Sequence, residues 1–194
     1  GNRHINLVAY AVPKPGFDQV IPAFRATPQG DGIGFSQSYG ASGDQSRKVA
    51  RRVPADVVNF SVEPDITRLV KEGIIDVDWK SRAPNNSTPF GSVVVLVVRK
   101  GNPKNVRDWD DLLKPGVQVV TPNPGSSGSA KWNLLAPFAT KSDGGRNVRA
   151  GLDYVAELVR DHITVQPKSG REATTAFEQG QGDVLISYEN EAIM

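Results

Sequence analysis

The chain has no cysteine among its 194 residues, so a disulfide framework, a thiolate metal site and thiol redox chemistry are all closed to it. Histidine is almost as scarce. His4 and His162 are the only two, and they stand too far apart in sequence to suggest a zinc or di-iron site. Long apolar runs are missing too. The longest is Val93–Val98, flanked by Arg99 and Lys100, which is the length of a buried strand and not of a membrane span. Nor is there an excess of one charge. Lys and Arg number 23 against 21 Asp and Glu, the net charge is +2, and the basic residues are scattered, so nucleic-acid binding finds no support. No secretory leader precedes the first strand-like segment in GNRHINLV, so an export signal is expected either to have been removed or never to have existed.

What remains is the balance of an ordinary globular protein, 38% hydrophobic and 23% charged, long enough for one large domain or two small ones. Short β-rich runs alternate with helix-like segments. In the first half the pattern predicts strands over 5–10, 33–38 and 56–61. It predicts helices over 42–52, with Ser42 as N-cap, and over 64–71, closed by Gly73. The polar, turn-rich stretch PNNSTP at 84–89 marks a boundary between two lobes. Beyond it the pattern predicts strands over 91–99, 117–121, 163–166 and 184–187. Helices are predicted over 109–113, 129–140, 148–160 and 171–179. This alternation argues for an α/β fold with a mostly parallel sheet covered by helices.

Three clusters of Ser and Gly fall between a strand and a helix: SYGASGDQ (38–45), NPGSSGSAKW (123–132) and KSGREATTAF (168–177). A helix start leaves its first N–H groups unpaired, and the peptide dipoles add partial positive charge there. Glycine lets a backbone approach a ligand closely, and serine adds a hydroxyl. One such cluster is ordinarily a cap and a turn. Several converging make an anion site that needs no cation. None matches a phosphate loop, because GSSGSAKW lacks the GK[ST] ending and its spacing.

Enzyme chemistry is not supported. Ser127 is embedded in Gly125-Ser126-Ser127-Gly128-Ser129 and not in a G-x-S-x-G elbow. His162 follows the end of a predicted helix, where it is expected to meet the terminal carbonyls. The acids at 108, 110 and 111 read as a helix start and not as a metal site, because adjacent helical residues point in different directions. Asp44 and Glu172 are expected on outward-facing turns.

At these clusters the sequence resembles the periplasmic sulfate- and thiosulfate-binding proteins of bacterial ABC importers. The matching stretches are SYGASGDQ, ADVVNFSVEPDI, LVVRKGNPKNVRDWDDLLKPGVQVVTPNPGSSGSAKWN and GDVLISYENEA, in family order across essentially the whole chain. The resemblance implies a two-lobed periplasmic-binding-protein fold of type II, with a first lobe over 1–84, a second over 85–190, and residues 189–194 starting a return to the first. Family members continue past ENEA, so the resemblance also implies that the C-terminal part of the first lobe is missing and that this lobe exposes a sheet edge or apolar face.

It further implies a non-enzymatic, monomeric solute-binding protein, periplasmic or otherwise extracytoplasmic, with a lipoprotein anchor as a variant. Such a protein holds sulfate or thiosulfate in the inter-lobe cleft and delivers it to a membrane permease. No cofactor, metal or nucleic acid is implied. The implied donors are the hydroxyl and amide of Ser42, the amides of Ser127, Gly128, Ser129 and Gly170, and a side chain at Tyr188. The family places an indole at that last position. SRAPNNSTPF favours the thiosulfate branch and YENEA the sulfate branch. A binder of another oxyanion, molybdate or phosphate, and a sensor or enzyme on the same fold are the alternatives.

Overall fold

The run His4–Tyr10 forms the central strand, β1, of a three-stranded sheet in the computed structural model, which describes residues 3–194. Its neighbours are β2 (Gly34–Gly40) and β3 (Val57–Asn59), in the order β2-β1-β3, and both pairings are parallel. Three consecutive residues of β1, Leu7, Val8 and Ala9, are buried, as a strand covered on both faces requires. Side chains alternate across the sheet, so Leu7 and Ala9 pack with Phe17 and Ile21 of α1 (Lys14–Arg25). Val8 packs on the opposite face with Val49 of α2 (Ser42–Ala50) and Leu69 of α3 (Glu63–Lys71).

Helix α1 is absent from the sequence expectation because Pro13, Pro15 and Pro22 crowd it. Pro13 is the N-cap and Pro15 lies in the first turn, where a missing N–H costs nothing. Pro22 does sit inside the helix, yet Phe17, Ile21 and Phe24 share one face. Phe24 meets Phe35 of β2 edge-on, with ring centroids 6.1 Å apart. Burial of that face outweighs the lost backbone bond. The polar stretch at 84–89 contains a single turn, α4 (Pro84–Ser87), in which Asn85 and Asn86 take left-handed angles, φ 55° and 54°. Asparagine accepts this conformation more readily than most residues.

The chain divides after Gly91, later than the expected boundary, and a second compact unit runs from Ser92 to Met194. Its sheet has the order β4-β7-β5-β6, with β4 (Val94–Val98), β5 (Val119–Val120), β6 (Ile163–Val165) and β7 (Val184–Tyr188). β7 pairs antiparallel with β4 and parallel with β5, and β5 pairs parallel with β6. All five residues of β7 are buried. One sheet face packs Val119, Val184 and Ile186 against Leu112 and Leu158. The other packs Val120 and Leu185 against Ala173 and Phe177 of α7 (Gly170–Glu178). The remaining helices are α5 (Gly128–Lys141), α6 (Val148–Glu157) and α8 (Glu189–Ile193).

The acids near 110 do form a helix start. Asp108 and Asp111 close a capping box on the 3-10 helix Trp109–Leu113. His162 ends a π-helical turn, Leu158–His162, and its Nδ1 bonds to the carbonyl of Val117 at 3.0 Å. It does not bond to its own helix end, because the turn delivers the ring onto the segment leading into β5. Residues expected to lead back to the first lobe form α8, which lies against β4 and β7 of the second unit.

Candidate functional site

In the second unit, β5, β6 and β7 run parallel, so their C-terminal ends share one edge of the sheet. α5 starts beyond β5, α7 starts beyond β6, and Tyr188 ends β7. Ligands of open α/β sheets bind outside such an edge. Five of the six expected site residues, Ser127, Gly128, Ser129, Gly170 and Tyr188, therefore lie toward that edge, and all are buried.

The two helix starts are tied together by the loops before them. The Asn123 amide donates to the Pro167 carbonyl at 2.7 Å, and the Ser126 hydroxyl donates to the Lys168 carbonyl at 2.7 Å. Ser127 is the N-cap of α5 and accepts from the Ala130 amide at 3.3 Å. Its own amide donates to the Asn123 carbonyl at 2.8 Å, so the expected Ser127 N–H is engaged in the turn that builds the loop. The amides of Gly128 and Ser129 follow, and neither has a carbonyl within the helix to bond to. The hydroxyls of Ser127 and Ser129 lie 2.7 Å apart. Each carries one proton, so one bridges the pair and the other is left over to donate elsewhere.

α7 is arranged in the same way. Ser169 is its N-cap and accepts from the Glu172 amide at 3.1 Å, while the Glu172 carboxylate accepts from the Lys168 amide at 3.0 Å. These two bonds leave the Gly170 and Arg171 amides without partners inside the helix. Glu172 is exposed, as expected. α5 is anchored from behind by Asn133, fully buried, whose amide group donates to Thr121 Oγ1 at 3.0 Å and to the Ile186 carbonyl at 2.8 Å. The start of α7 is anchored through Arg171, which pairs with the buried Glu191 of α8 at 2.9 Å, one turn beyond Tyr188. Burial pushes the Glu191 carboxyl up, with Thr174 and Arg171 acting in the opposite direction.

In the first unit Ser42 also follows the C-terminal end of a parallel strand, β2. It is not the N-cap. Ala41 holds that position without a capping side chain, and Ser42 is the first helical residue. Its hydroxyl donates to Asp65 Oδ2 at 2.7 Å and accepts from the Ser61 amide at 3.1 Å. The hydroxyl proton expected to serve a ligand is directed at Asp65 Oδ2 in this structure. Only the first-turn amides of α2 remain to be offered. Asp44, partly exposed, pairs with Arg47.

Asp65, Asn133, Glu191 and Ser126 escaped the sequence reading. Only Asp65 left a trace, its three-residue spacing from Arg68 on one helix face. Among the described residues no group of His, Cys, Asp or Glu could hold a metal ion, and no helix is long and apolar enough to cross a membrane.

A family model described as bacterial extracellular solute-binding protein matches residues 5–194. The sulfate-binding protein of Synechococcus elongatus is 42% identical over 98% of this chain, which spans 55% of that protein. The thiosulfate-binding protein of Pseudomonas aeruginosa is 41% identical over 96% of the chain, which spans 58% of it. The chain thus covers little more than half the length of these relatives. Among solved structures, the sulfate-binding protein SubI from Mycobacterium tuberculosis superposes with a TM-score of 0.95 at 66% identity, over 98% of this chain and 66% of that one.

Proposed function

The chain belongs to the bacterial extracellular solute-binding protein family and has the α/β fold of periplasmic binding proteins, and on that footing we propose that it captures sulfate, or its relative thiosulfate, for an ABC importer. The observation that carries this reading is the locked pair of helix starts in the second unit. Gly128, Ser129 and Gly170 lie buried at the same sheet edge, with neutral donors and caps already satisfied by Ser127 and Ser169. In this reading their amides donate to the anion, the Ser127–Ser129 hydroxyl pair contributes one proton, and Tyr188 adds a phenolic donor where the family resemblance implies an indole. In the first unit, the Ser42 amide in the first turn of α2 is a candidate donor considered by itself. Neutral donors suffice, because a hydrogen bond to an ionised oxygen contributes about 1.5–3 kcal/mol.

The protein acts by binding alone, as a monomer outside the cytoplasmic membrane, and hands the anion to a membrane permease. Fully ionised sulfate matches a site of donors. Phosphate at neutral pH keeps a proton that would face another donor, at a cost of about 1–3 kcal/mol. Titration calorimetry of the full-length protein with sulfate, thiosulfate, molybdate and phosphate tests the reading. Sulfate or thiosulfate is expected to bind most tightly. Phosphate binding that excess sulfate does not displace would refute it.

A further inference from the structure

The amide-rich start of α2 is exposed to a competitor of its own making. A serine in the first turn of a helix can swing its hydroxyl toward whatever polar group is nearest, an arriving anion included. Ser127 and Ser169 show the local alternative, since each caps its own helix. Ser42 does neither. Its hydroxyl is held between an acceptor, Asp65 Oδ2 at 2.7 Å, and a donor, the Ser61 amide at 3.1 Å. One turn further along the same face, the Ser46 hydroxyl donates to the Asp65 carbonyl at 2.6 Å and accepts from Arg68 Nη1 at 2.6 Å. The same Arg68 Nη1 lies 2.9 Å from Asp65 Oδ1. Asp65 is wholly buried, so its charge is tolerable only because Arg68, the Ser42 hydroxyl and the first turn of α3 all face it.

We propose that Asp65 is a positioning residue for anion capture by α2: it fixes Ser42, and through Ser42 the direction of the first-turn amides. Arg68 neutralises the carboxylate, so the anion meets aimed amides and no net negative charge. This inference rests on the sulfate-binding reading above.

In Asp65→Asn a single amide oxygen must serve both Arg68 and Ser42. The guanidinium takes it, and the Ser42 hydroxyl is left facing an NH2 group that can only donate, so its own proton loses its acceptor and the hydroxyl is no longer fixed as a donor. The test is a double-mutant cycle in sulfate affinity, measured by calorimetry on the full-length protein with folding verified by thermal melting. Sulfate binding by the parent is the first readout, and its absence refutes the sulfate reading itself. Given parent binding, Ser42→Ala and Asp65→Asn are each expected to weaken sulfate by about five- to tenfold. Adding Asp65→Asn to Ser42→Ala is expected to weaken it no further. A purely structural role for Asp65 would produce the same loss in both backgrounds, and that result overturns the proposal, as does unchanged or tighter binding in Asp65→Asn. If Asp65→Asn does not fold, Ser42→Ala still decides, since it keeps the Asp65–Arg68 pair and parent-like affinity there overturns the proposal by itself.

Discussion

Truncating Arg99 should loosen the end of α7 opposite the candidate site. The guanidinium donates through Nη1 to the Phe177 carbonyl at 2.7 Å, through Nη2 to the Gln181 and Gly182 carbonyls at 2.7 Å each, and through Nε to the Gly182 carbonyl at 3.1 Å. Its central carbon also lies 3.7 Å from the centre of the Phe177 ring. These carbonyls belong to the last turn of α7 and the turn after it, where a cation suits the dipole, and the Phe177 carbonyl also accepts from the Gly180 amide at 2.9 Å. The bonds to Phe177 and Gly182 are partly buried and the one to Gln181 is exposed, where water can replace it. Counting about 1 kcal/mol for each of the two sheltered acceptors and about 0.5–1 kcal/mol for the stacking, Arg99→Ala should cost about 2.5–3 kcal/mol. Arg99→Lys keeps the charge but loses both the fork and the planar stack, so it should recover less than half of that. Urea unfolding of the full-length protein reads the total, and native-state hydrogen exchange over residues 170–182 reads the local loosening. A loss in Arg99→Ala below about 0.5 kcal/mol, or a lysine variant equal to the parent, would show the reasoning to be wrong.

Asn133→Ala removes both bonds that hold α5 to Thr121 and Ile186 and should destabilise by about 2–4 kcal/mol in the same unfolding assay; a change within error would mean that α5 is held by its apolar contacts alone. Tyr188→Phe deletes one hydroxyl and keeps the ring, so sulfate affinity should fall by about 1–3 kcal/mol, and unchanged affinity for both sulfate and thiosulfate would return Tyr188 to packing. Glu191 has its carboxyl raised by burial, so its charged form opposes folding. The stability it contributes is fully present below its unfolded value and is lost as pH rises through the folded one. Asp56, Asp111 and Asp161 are lowered and act in the opposite sense, their contribution vanishing as pH falls through their folded values. Stability should therefore rise as pH drops from neutral toward the ordinary carboxylate range and fall below it. Glu191→Gln should flatten the upper limb in a melting series across pH, and an unaltered slope there would refute the assignment.

The α/β alternation was legible because strands such as His4–Tyr10 and Val184–Tyr188 are apolar runs bounded by turn residues, and helices such as Gly170–Glu178 begin at Ser-Gly pairs. α1 was not, since prolines are read locally while the burial of Phe17 and Ile21 that overrides them is a tertiary fact. The positions of Gly128, Ser129 and Gly170 were legible, because a helix start advertises its own unpaired amides. The partners that decide what each group can offer were not. Ser42 and Asp65 are separated by 23 residues, and Asn133 and Ile186 by 53. Nothing in either local sequence fixes which hydroxyl meets which carboxylate.

That hidden layer explains how donors can be offered without acceptors beside them. The donor clusters of α2 and α7 have carboxylates close at hand, and a free carboxylate would repel a dianion and welcome the proton of phosphate. In this structure every one of them is engaged. Asp65 faces Ser42 and Arg68, Asp44 faces Arg47, and Glu172 accepts the Lys168 amide. The same contacts brace the helix starts, since Glu172 closes the cap of α7 and Asp65 ties α3 to α2. Bracing the amides and silencing the acceptors are thus one set of bonds, so a substitution that frees a carboxylate should loosen the donors and alter anion preference together.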